Sequence, residues 1–133
     1  MAEKVFEARR DALDEVNDYL EGLFDEADVP FKVRIQVLTA VEEIFINIAS
    51  YAYEGGEGTA VLETEINGDA IKLVFKDQGI PFDPLAKPDP DITLSAEERG
   101  LGGLGIYMVK KMMDQVSYVR SNGWNILTLE KKF

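Results

Sequence analysis

Residues Thr59–Lys76 read TAVLETEINGDAIKLVFK. Two runs rich in β-branched and apolar residues, Thr59–Ile66 and Ala70–Lys76, flank Asn67-Gly68, a dipeptide whose tolerance of positive φ suits a tight hairpin. Strands joined so closely must pair antiparallel, because a parallel crossover needs a dozen or more residues. The same signal recurs near the end, where Val116–Arg120 and Trp124–Glu130 flank Asn122-Gly123. Two hairpins argue against a doubly wound parallel sheet.

Upstream, residues 3–8 alternate polar and apolar as a short strand. From Asp11 to about Asp28, Leu13, Val16, Tyr19, Leu20 and Leu23 fall at helical spacing. Pro30 breaks that pattern, and Phe31 to about Tyr53 forms a second, more apolar helix that stops at Gly55-Gly56. Downstream, Gly79–Arg99 contains Pro81, Pro84, Pro88 and Pro90 and is too long and polar for an ordinary connection, so a lid is expected over about 80–99. Gly100-Leu101-Gly102-Gly103-Leu104-Gly105 then opens a third helix running to about Asp114. The expected fold class is α+β: a two-layer α/β sandwich whose mixed, mostly antiparallel sheet is covered on one face by about three helices.

The 133 residues suffice for one core, so a single domain over 1–133 is expected. Fourteen basic against 25 acidic residues give a net charge of −11, which disfavours nucleic acid and anionic membranes as partners. Neither Cys nor His occurs, which excludes disulfides, thiol nucleophiles, imidazole bases and phosphohistidine, and leaves only hard cations held by oxygen. No apolar run of about 18 residues is evident and the N-terminus lacks the apolar core of a signal peptide, so a cytoplasmic protein is expected.

Three elements carry possible chemistry. Thr39, Glu43 and Asn47 stand at four-residue steps on one face of the second helix, with Gln36 and Ser50 near the same line. Asn47 lies among apolar neighbours and needs a partner, which an ion, a ligand, Glu43 or a neighbouring strand can supply. Asp77-Gln78-Gly79 ends a strand, a pattern of turn chemistry and equally of a carboxylate beside a flat ligand. The four glycines of Gly100–Gly105 open a helix whose free N–H groups favour an anion such as phosphate. The spacing satisfies G-x-G-x-x-G, yet no strand precedes it and only 28 residues follow, so a dinucleotide fold is excluded. No P-loop is present.

In this order, Glu43…Asn47, Asp77-x-Gly79, a lid and Gly102-Gly103-Leu104-Gly105 resemble the histidine-kinase-like ATPase superfamily (GHKL type). Asp77–Pro84 (DQGIPFDP) and Gly103–Val109 (GLGIYMV) are most similar to the anti-sigma-factor serine/threonine protein kinases. The resemblance implies ATP and Mg²⁺ as cofactors. It implies Asn47 as the metal ligand, Glu43 as the catalytic base, Asp77 as acceptor for the adenine amino group, and Gly79 as room for the base. Gly102, Gly103, Leu104 and Gly105 would wrap the phosphates, and Arg99 would reach the terminal one or remain a solvated charge. It further implies a sigma factor and an anti-sigma-factor antagonist as protein partners, with a homodimer possible in this family. A non-catalytic ATP-dependent interaction module is the alternative. Tyr51 stands where these families often carry His, and Pro81 replaces a second glycine. The acidic set Asp14, Glu15, Asp18, Glu21, Asp25 and Glu26 reads as a partner surface or as the solvated side of the first helix.

Overall fold

A computed structural model describes residues 2–54, 56–86 and 103–133, with Gly103 and Leu104 described by backbone only. The elements are β1 (Ala2–Glu7), a short 3₁₀ turn (Arg10–Ala12), α1 (Leu13–Glu26), α2 (Phe31–Asn47) ending in a π-helical turn (Ile48–Ala52), β2 (Thr59–Asn67), β3 (Ala70–Asp77), α3 (Gly103–Met112), β4 (Gln115–Ser121) and β5 (Trp124–Lys132). The strands form one sheet in the order β1-β2-β3-β5-β4, and all four pairings are antiparallel. No parallel pair occurs among the described residues, so the sheet expected to be mixed is antiparallel. Residues 87–99 of the expected lid, Arg99 among them, and Gly102 of the glycine motif lie outside the described residues.

Period-two alternation decides which sheet face is covered. Ala60, Leu62 and Thr64 of β2, Ile71, Leu73, Phe75 and Asp77 of β3, and Asn125, Leu127 and Leu129 of β5 are buried. Helices cover that face: Val16, Leu20 and Phe24 of α1 and Val37, Val41, Ile44 and Phe45 of α2 join the same core. The α1 acids Asp14, Glu15, Asp18, Glu21, Asp25 and Glu26 are exposed opposite this apolar stripe. Phe6 and Tyr19 meet edge to face at 5.8 Å and dock α1 on β1.

Phe31–Ala52 is by length and composition the one helix among the described residues that could cross a membrane, and only weakly so, since Lys32, Arg34, Glu42 and Glu43 interrupt it. In the fold it is a core helix, with Val33, Val37, Ala40, Val41, Ile44 and Phe45 buried against the sheet and the other helices.

Two details depart from the expected boundaries. In the β2–β3 hairpin Asn67 pairs with Ala70, so the two-residue loop is Gly68-Asp69 rather than Asn67-Gly68. Gly68 has φ of +58° at the first central position, as a type II′ turn requires. The β4–β5 loop is Asn122-Gly123, both with positive φ, the I′ pattern. The second helix does not stay α-helical to Tyr53. Its end widens into the π turn, where the Ala52 carbonyl accepts from the Ile80 N–H at 2.8 Å and Ser50 Oγ accepts from Arg10.

Candidate functional site

The C-terminal half of α2, the inner ends of β3 and β5, and the segment after β3 enclose a pocket. Ile44, Asn47, Ile48, Tyr51 and Ala52 line one wall, and Phe75, Asp77, Asn125 and Leu127 form the floor. Ile80, Phe82, Pro84 and Tyr118 complete it. Tyr51, Ile80 and Phe82 remain exposed, giving the mouth an apolar rim suited to a flat heteroaromatic ring. Asp77 is the one charged group lining it among the described residues.

Asp77 is buried because its place on β3 is in phase with Ile71, Leu73 and Phe75. Its Oδ1 accepts from the Gly79 N–H and from Asn125 Nδ2, both at 2.9 Å. No bond from a described residue reaches Oδ2. Asn125, whose register partner is Asp77, was not singled out in the sequence. A signal was present: Asn125 shares the inward phase of Leu127 and Leu129, where an amide is out of place.

Gly79 has no room for a side chain. A β-carbon there would lie 2.2 Å from the Ala52 carbonyl oxygen, so the bare Cα is filled by the end of α2. Tyr53 holds the other side of the loop, since its hydroxyl accepts from the Gln78 N–H at 3.0 Å and donates to the Thr59 carbonyl. Arg120 of β4 donates to the Gly79 carbonyl at 2.8 Å. The backbone after Asp77 is thus gripped by the end of α2, by Tyr53 and by the β4–β5 hairpin.

Glu43 and Asn47 lie one turn apart on α2 and are half-buried. Glu43 reaches the first turn of α3, where a β-carbon at Gly105 would lie 2.5 Å from Oε2. That turn, Gly103 onward, carries N–H groups without intrahelical acceptors, at the positive end of the helix dipole. The tertiary fold therefore brings Glu43, Asn47, Asp77, Gly79 and Gly105 to one end of the sheet. Among the described residues no group of three acidic side chains converges as a metal cage. A cation here would be held by the Asn47 amide together with ligand phosphates and water, a donor set that suits Mg²⁺.

Residues 6–131 match the family described as the histidine kinase-like ATPase domain. The chain belongs to that family. Among curated relatives of this ATPase domain, the serine/threonine-protein kinase BtrW of Bordetella bronchiseptica is 29% identical over 99 residues, 74% of this chain and 70% of the relative. The serine-protein kinase RsbW of Staphylococcus aureus is 29% identical over 118 residues, 80% and 71% of the two chains. The solved structure of the RsbU and RsbW domains of Rv1364c from Mycobacterium tuberculosis superposes with a TM-score of 0.64 at 13% identity. It covers 99% of this histidine kinase-like domain, which spans 32% of that longer chain. The α+β class expected from the hairpins is the fold of this family.

Proposed function

We propose that this protein is an ATP-dependent serine/threonine kinase and anti-sigma factor that phosphorylates an antagonist protein in a partner-switching pathway. One observation carries the reading: Asp77 offers an aimed acceptor in an apolar pocket, while Glu43 and Asn47 lie a turn apart beside the N-terminus of α3. The relatives named as serine kinases support the choice of reaction and of protein substrate.

In this reading Asp77 Oδ2 accepts from the adenine amino group, and Gly103, Leu104 and Gly105 offer backbone donors to the phosphates. Gly102 and Arg99 act from the segment before α3. Asn47 would hold Mg²⁺, which would supply neutralisation of charge on the phosphates. Glu43 takes the proton of the incoming serine or threonine hydroxyl as its oxygen bonds to the terminal phosphorus and the bond to the ADP oxygen breaks. Repacking around the terminal phosphate would make ATP state visible to a sigma factor, a two-state switch of the order–disorder kind.

Calorimetric titration with Mg-ATP and Mg-GTP tests the nucleotide half. Saturable ATP binding is expected, weakened about tenfold to a hundredfold in Asp77→Asn, the cost of a lost buried acceptor. Oδ1 of the wild-type carboxylate is already engaged twice, so the variant's amide oxygen takes over those bonds and its NH₂ faces the ligand. Donor then meets donor at the adenine amino group, and the loss for GTP is smaller. Equal ATP affinity in wild type and variant would remove Asp77 from the site.

A further inference from the structure

We infer that Asn125 is a positioning residue for the base pocket: with Tyr118 behind it, it aims the Asp77 carboxylate and roots the segment after β3 on the β4–β5 hairpin. The inference rests on the nucleotide reading above and deepens it, because Asn125 acts through Asp77.

The side chain is buried and fully partnered. Nδ2 donates to Asp77 Oδ1 at 2.9 Å and to the Ile80 carbonyl at 2.8 Å, while Oδ1 accepts from the Tyr118 hydroxyl and, at 3.4 Å, from the Phe82 N–H. A carboxylate and a carbonyl only accept and a peptide N–H only donates, so these partners fix the orientation of the amide. A core amide could have been satisfied by its own strand. This one spends both donors on the ligand carboxylate and on the backbone two residues beyond Gln78, so the direction of Oδ2 and the path of Ile80–Phe82 are set by one group. An apolar residue could fill the volume but would free Asp77 Oδ1 to compete with Oδ2 for the ligand.

Replacing the amide by a carboxyl makes this role readable. In Asn125→Asp a second carboxyl stands within hydrogen-bond distance of Asp77, and two carboxyls so close resist ionising together, so one proton is held between them to higher pH than a lone carboxyl would hold it. While the proton is present it replaces the Nδ2 donation; when it leaves, repulsion turns Asp77 aside. The groups that face this pair are the Tyr118 hydroxyl and Arg120 from β4 and the uncharged Asn47 and Tyr51 from α2.

The experiment is calorimetric ATP binding by wild type and Asn125→Asp at pH 6 and pH 8, with melting curves at both. Dividing variant by wild-type Kd at each pH cancels ionisation of the terminal phosphate. The ratio is expected to rise about tenfold from pH 6 to pH 8, because loss of the shared proton leaves two like charges facing each other. A flat ratio with wild-type binding intact overturns the inference alone. Wild-type protein that melts normally yet binds no ATP overturns the nucleotide reading and this inference with it. If Asn125→Asp does not fold, Tyr118→Phe decides: ATP binding weakened about threefold at an unchanged melting temperature supports the brace, and unchanged affinity overturns it.

Discussion

Glu43→Gln is expected to lower phosphoryl transfer by about a hundredfold to ten-thousandfold while ATP affinity stays within about threefold of wild type. The two effects separate because glutamine keeps the length and hydrogen-bonding reach of the side chain but cannot take up the hydroxyl proton. Glu43 lies beside the first turn of α3 and outside the lining of the base pocket, so the amide leaves Asp77 and its brace untouched. Transfer to the antagonist protein measured at saturating Mg-ATP, beside calorimetric titration of the same variant, reads both quantities. Undiminished transfer would remove Glu43 as the base. Partner binding that still switches between ADP and ATP in the inactive variant would show that nucleotide occupancy alone drives the switch, the behaviour of an interaction module.

Gly79→Ala is expected to cost about 3 kcal/mol of stability or more, a backbone collision at the upper end of overpacking penalties. The added carbon would stand 2.2 Å from the Ala52 carbonyl oxygen and 2.6 Å from its carbon, and backbone cannot step aside as a long side chain can. Relief requires the π turn to part from the loop, which breaks the bond from the Ile80 N–H to Ala52 and disturbs the pocket wall. Gly22→Ala is the control. It lies within α1 with nothing inside 4 Å of the added carbon, and a glycine removed from a helix interior raises stability by about 0.5–1 kcal/mol. Urea denaturation of the three proteins gives the comparison. A Gly79→Ala midpoint equal to that of wild type would mean that the end of α2 is not locked to the loop.

The two hairpins were legible because their information is local: a two-residue loop with positive φ, flanked by β-rich runs, admits little else. Asn122-Gly123 gave its loop outright, whereas the β2–β3 loop lies one residue later than the dipeptide suggests. Both choices keep Gly68 at positive φ, and only the pairing of Asn67 with Ala70 selects between them. The stripe Glu43–Asn47 was legible for the same local reason, since a four-residue step fixes a helix face. A β-carbon at Gly79 would collide with the Ala52 carbonyl, a packing reason for glycine there that no local pattern announces. Directly after Asn47 no pattern announces a π turn, whose final carbonyl, that of Ala52, accepts from the Ile80 N–H on the far side of the loop.

By itself, then, the amino-acid order determined the elements, their antiparallel pairing within each hairpin, and the types of group available: carboxylates, an amide and helix-opening glycines, with no thiol or imidazole. Tertiary structure alone decided that β5 inserts between β3 and β4, which brings Asn125 opposite Asp77 across 48 residues of chain. The reason is physical. Local rules act over one turn or one strand, whereas register between strands distant in sequence is chosen by the fit of whole buried faces, and a slip of one residue would have turned both Asp77 and Asn125 out of the pocket.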